Sequence, residues 1–235
     1  MDSEMTADRT SSPRFFTSLI WALLFLPISS PIFAASETVE EGLDALRQGN
    51  FAEAFCIWRP LANAGDAEAA YNLGWLYANG NGLRVDVEKA IRWWEAAAMQ
   101  GHLEAQFTLG LTYTTGEGIK KDTEAALRWF LKAARGGQTD AQEIIREFVQ
   151  VGSSLVDEHL NGILQLPWIG DRLRVKVKRA NLRAGPGTGN EIVETVTEGS
   201  ELVEIGHHGN WSYIINPDTK KRGWIADWLT VRTTP

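Results

Sequence analysis

The sequence predicts a multidomain α and β chain, an α-helical solenoid of stacked helix pairs followed by a small β-barrel. Three observations predict it. Residues 36–150 contain 19 Ala in 115 positions and residues 151–235 only 3 in 85. Val, Ile and Thr run the other way, 16 against 22. Ala favours helix and β-branched residues favour strands, so the fold changes class near residue 150. The first stretch also repeats itself every 36 residues, and the second alternates apolar with polar side chains.

At the N-terminus, Arg9 and Arg14 precede the apolar run Phe15–Leu26, which leads through Pro27 and Pro31 to Ile32-Phe33-Ala34-Ala35. A charged region, a short apolar region and small residues at a cleavage point have the pattern of a signal peptide over residues 1–35. The mature protein is then expected in the periplasm or secreted. An uncleaved segment would instead be an inner-membrane anchor, the one case in which a membrane is a partner.

The helical repeat is expected over residues 36–165, including a closing helix. Gly65, Gly101 and Gly137 fall in register, as do Ala69 with Ala105 and Ala141, and Leu73-Gly74 with Leu109-Gly110. Trp58, Trp94 and Phe130 align with one another, and Asp86 with Asp122. Gly inside a helix costs about 1 kcal/mol relative to Ala, so Gly74 and Gly110 imply a neighbour packed against bare backbone. Asp86 and Asp122 read as N-caps and Gly65, Gly101 and Gly137 as helix stops. Cys56, between Phe55 and Ile57, reads as a small buried hydrophobe. Ser154 is placed to cap a last helix carrying Leu155, Leu160, Ile163 and Leu164, ended by Pro167.

Asp66–Gly101 and its copy His102–Gly137 resemble the Sel1-like repeat, a relative of the tetratricopeptide repeat. The shorter turn at Gly49-Asn50 resembles the tetratricopeptide version and makes the first hairpin a capping unit. Stacked repeats present the first helix of each pair along a groove that binds peptides or partner helices. Helical spacing from Leu73 and Leu109 puts Glu68, Tyr71 and Trp75, then Glu104, Phe107 and Leu111, then Asp140, Glu143 and Glu147 on that face. An apolar floor flanked by carboxylates suits a basic, partly hydrophobic protein or peptide partner. In the repeat it resembles, the positions of Tyr71 and Phe107 are often aromatic, which implies a packing role for both.

After a linker over residues 166–171, residues 172–235 read as the barrel. Leu173, Val175 and Val177 alternate with Arg174, Lys176 and Lys178, and five short strands are separated by turns at Gly185-Pro186-Gly187, Gly199, His207–Asn210 and Asn216-Pro217-Asp218. Asn181-Leu182-Arg183-Ala184-Gly185-Pro186, Trp211, Gly223-Trp224-Ile225 and Trp228-Leu229 resemble the bacterial SH3 (SH3b) domain. That resemblance implies binding to wall peptides or proteins. Trp211 and Trp224 are expected in the core or at its rim, with Trp228 as a candidate contact. Arg174, Lys176 and Lys178 read as a basic edge, protective against sheet pairing or able to hold the acidic helical half, anionic lipid or wall carboxylates.

The chemistry-bearing residues form no catalytic, metal or cofactor constellation. The single Cys excludes an internal disulfide or thiolate cage, and the net charge of −7 argues against nucleic acid as a partner. The expectation is an exported, non-enzymatic adaptor of the bacterial envelope, with no cofactor. The alternative is a module that binds peptidoglycan and positions or regulates a wall hydrolase.

Overall fold

A computed structural model describes residues 38–233 of the chain. The expected export signal, with Trp21, lies outside the described residues.

Among the described residues seven helices come first: α1 (Val39–Arg47), α2 (Phe51–Asn63), α3 (Ala67–Asn79), α4 (Val87–Met99), α5 (Leu103–Thr115), α6 (Thr123–Arg135) and α7 (Thr139–Val151). All but α2 start at a side chain that satisfies an otherwise unpaired N–H group. Thr38 and Glu41 form a reciprocal capping box at α1. Asp86 and Asp122 accept from the backbone of Lys89 and Ala125 at 2.9 Å each, as their spacing predicts. The same job at α3, α5 and α7 falls to Asp66, His102 and Gln138, three residue types at one repeat position.

The glycines inside helices mark where the helices of a pair meet. A Cβ on Gly74 would fall inside the indole of Trp94, and one on Gly110 inside the ring of Phe130. Gly42 stands in the same relation to Trp58, a third copy displaced by 32 residues because the α1–α2 turn is shorter. Trp58 donates from Nε1 to Val39 O at 3.1 Å and Trp94 to Tyr71 O at 3.2 Å. Each indole thus fills the space over a glycine and bonds one turn upstream.

The series changes in the fourth unit. Arg146 occupies the position equivalent to Gly42, Gly74 and Gly110, and no long second helix follows α7. The single closing helix expected from Ser154 is instead two one-turn helices, α8 (Ser154–Asp157) and α9 (Leu160–Ile163), broken at Glu158-His159. Ser153, rather than Ser154, holds the N-cap position. Cys56 is exposed, because α2 buries Ala54, Ile57 and Trp58 and turns residue 56 outward.

The second half is one antiparallel sheet of seven strands: β1 (Arg172–Val175), β2 (Arg179–Arg183), β3 (Ile192–Thr197), β4 (Glu201–His208), β5 (Trp211–Ile215), β6 (Arg222–Ala226) and β7 (Thr230–Thr233), in the order β3-β2-β6-β5-β4-β1-β7. Leu173, Val175, Ala180, Leu182, Val196, Leu202, Ile214 and Ile225 from six of these strands form one core. A sheet that supplies every wall of its own core is a small barrel. Four-residue β7 follows a 3-10 turn at Asp227–Leu229 and is too short to carry an alternation signal. It pairs with β1, so β1 lies between β4 and β7 and is not the free edge its charges suggested.

A separate core joins the two halves. Val203, Ile205 and Ile215 from the outside of the sheet pack with Ile145, Val149, Val156, Leu160 and Ile163 from the helices, and Ile169 of the joining segment is buried among them. The last carbonyls of α7, which have no partner within the helix, are met by the barrel. Arg222 donates to Val149 O at 2.8 Å and Tyr213 to Gln150 O at 3.4 Å. Gln150 donates in turn to Ile205 O. Arg222 also reaches Asp157 at 3.3 Å. Arg174, Lys176 and Lys178 take no part in this joint; Arg222, which alternation alone did not single out, carries it.

Candidate functional site

The first helices of successive pairs, α3, α5 and α7, repeat the same face. On it Trp75 is 38% exposed and Leu111 42% exposed, at equivalent positions of neighbouring units. Tyr71 and Phe107 are half-buried. Tyr71 stacks on His102 with ring centroids 4.7 Å apart, and Phe107 lies 5.7 Å from Phe130. Both therefore contribute mainly to packing, while Trp75 and Leu111 remain open.

The same three helices carry acidic groups. Glu68, Glu104, Asp140, Glu143 and Glu147 are all exposed. Glu68 accepts from His102 Nε2 at 2.9 Å. The Nδ1 atom of that ring accepts the Ala105 N–H at 3.1 Å, which leaves Nε2 as the protonated nitrogen. One histidine thus caps α5, supports Tyr71 and ties α3 to the next unit. Glu143 is engaged by Arg146, whose Nε donates to Trp168 O at 3.0 Å. Glu104, Asp140 and Glu147 make no ion pair among the described residues.

The barrel holds a second polar arrangement that the sequence did not disclose. His207 and His208 lie on the end of β4, and the turn is confined to Gly209-Asn210. A bulge between Glu204 and Gly206 brings exposed His207 beside buried Glu204. Buried Glu204 accepts from Ser212 at 2.7 Å, His207 Nδ1 at 2.9 Å and Arg232 at 3.0 Å. Burial raises the Glu204 pKa, but these three donors together outweigh it and hold the carboxyl below its usual 4.5. The bond to Glu204 in turn holds His207 above its usual 6.5.

Ser212 faces Glu204 and Asp227, and both ring nitrogens of His207 face acceptors, Glu204 and Gly209 O. No histidine lone pair is directed at the hydroxyl, so this geometry gives Ser212 no general base. The signs give a stability window. The Glu204 contribution is present above pH 4.5 and is lost as pH falls through its lowered value. The His207 contribution is present below pH 6.5 and is lost as pH rises through its raised value. Thermal melts are therefore expected to show the network strongest between these values. His207→Gln should flatten the alkaline limb; an unchanged limb would remove His207 from the network.

Outside the barrel the tryptophans form a ridge. Trp211 pairs edge-on with Trp228 at 6.0 Å and Tyr213 with Trp224 at 5.0 Å; Trp228 is 56% exposed. Trp211 and Trp224 are half-buried and lie outside the barrel core, because Ser212, Ile214, Gly223 and Ile225 occupy the inward positions of β5 and β6. Arg174, Lys176 and Lys178 are exposed, with Arg174 3.1 Å from Glu201. Among the described residues no cluster of three metal-ligating side chains occurs, and no helix is long and apolar enough to cross a membrane.

Residues 67–102 and 103–138 match the Sel1 repeat, and residues 178–230 match the bacterial SH3 domain. A Sel1 repeat protein from Oxalobacter formigenes superposes with a TM-score of 0.50 at 27% identity, over 56% of this chain and 53% of that one. A protective antigen of uropathogenic Escherichia coli with an SLR fold gives a TM-score of 0.47 at 26% identity, over 54% and 28% of the two chains. A probable cell wall amidase, LytH, of Staphylococcus saprophyticus is 31% identical over 51 residues, 22% of this chain and 18% of that protein. The chain thus spans less than a fifth of that amidase and about half of the Oxalobacter protein.

Proposed function

We propose that this chain, which carries Sel1 repeats and a bacterial SH3 domain, is an exported, non-enzymatic adaptor of the bacterial envelope. One observation carries the reading: Trp75 and Leu111 stay open at matching positions of adjacent units, on helices that carry exposed carboxylates. An exposed indole is a strong contact group, and the carboxylates select a basic segment with an apolar side. The charged and apolar N-terminal pattern supports export.

Crosslinking from the first-helix face in the living cell, followed by mass spectrometry, tests this reading. A protein or peptide adduct is expected, and Trp75→Ala should weaken capture by about tenfold or more without loss of fold. Capture that survives both Trp75→Ala and Glu104→Lys would sink it.

The aromatic ridge favours a second reading, in which the barrel holds peptidoglycan and positions or regulates a wall hydrolase. The partial likeness to a probable cell wall amidase supports the same direction. Binding to protein-free wall sacculi that is lost in Trp228→Ala would place this reading first.

A further inference from the structure

Beside the joining segment, a cavity of about 670 Å3 opens against the first and last barrel strands. Arg172 and Arg174 of β1 and Arg232 of β7 border it, and Leu166 and Pro167 give it an apolar wall. Arg172 is half-buried and anchored on Leu164 O. Among the described residues, two carboxylates, Asp171 and Glu201, line the cavity with the three guanidiniums. Their pairs, Arg232–Asp171 at 3.2 Å and Arg174–Glu201 at 3.1 Å, have both partners more than half exposed. Such exposed pairs contribute little and exchange readily.

We propose that this cavity binds a carboxylate of an acidic peptide, which takes the place of Glu201 on Arg174. The planar guanidinium forks already hold carboxylates here, and the same geometry serves a ligand's carboxylate. The wall of Leu166 and Pro167 suits the aliphatic part of a peptide. Lys176 and Lys178, exposed just beyond β1, continue the positive row and favour an extended acidic segment over a single small ion. The charge preference is opposite to that of the helical face, so the two surfaces select different partners.

Fluorescence anisotropy with labelled tetraglutamate and the full chain tests the proposal. Binding is expected at low salt, with little at about 0.5 M salt and none for tetraglutamine. Arg174→Gln should weaken binding about tenfold. Glu201→Gln, which removes the competing carboxylate, should tighten it several-fold. Trp75→Ala should leave it unchanged, which separates this site from the helical face. Failure of Glu201→Gln to tighten binding, or of Arg174→Gln to weaken it, would overturn the assignment. So would competition by inorganic phosphate at the same concentrations as unlabelled tetraglutamate.

Discussion

Trp94→Ala is expected to lower stability by about 3–5 kcal/mol, measured by urea unfolding followed by circular dichroism. Trp94 is 5% exposed, packs over the bare backbone of Gly74 and donates to Tyr71 O. Truncation leaves a cavity and removes the indole's bond to α3. Gly74→Ala alone is also expected to destabilise, by about 1–3 kcal/mol, because its methyl would occupy indole volume. In the Trp94→Ala background the sign should reverse. The methyl then has room, and Ala is better than Gly inside a helix by about 1 kcal/mol. A double-mutant cycle reads this coupling directly. A cost below about 1 kcal/mol for Trp94→Ala, or no sign reversal, would refute the pairing.

Ile145→Ala is the second large expected effect, at about 2–5 kcal/mol. Ile145 is fully buried at the position equivalent to Leu73 and Leu109, but part of its core comes from the outer side of the barrel. A truncation in α7 should therefore loosen the barrel as well as the helices. Far-ultraviolet circular dichroism, reporting the helices, and tryptophan fluorescence should shift together to lower urea. Trp211, Trp224 and Trp228 supply the barrel's share of that fluorescence. A variant whose helices melt early while the barrel signal stays in place would show that the joint carries no coupling.

Much of this architecture was legible in the sequence because the repeat states its own rules twice. Gly74 and Gly110, Trp94 and Phe130, and Asp86 and Asp122 recur at constant spacing, and each pair meets the same physical demand. Gly42 escaped because its turn is four residues shorter, which moves it out of register although its partner Trp58 was in view. The last helix was misread because apolar spacing at Leu155, Leu160, Ile163 and Leu164 fits one helix as well as two broken turns. Alternation likewise does not choose between core and rim for Trp211 and Trp224. Alternation shows that two faces differ, but it does not say that the wider face of a small barrel must lie outside. The cavity beside β1 and the Glu204 network were invisible because strand pairing and a bulge assemble them from distant positions. Exposure of Trp75 and Leu111, in contrast, follows from helical spacing alone.

Arg146 stands where earlier units keep glycine, and its substitution marks a terminus in the grammar of the chain. Beyond it the barrel serves as the end plate, so a further unit added after α7 would meet no receptive surface. The middle of the stack is different. After Gly101 the chain is in phase with itself, and a duplicated 36-residue block there would find a matching neighbour on either side. Growth of this molecule by duplication is thus confined to its interior, where it would lengthen the helical face and leave the barrel's seat untouched.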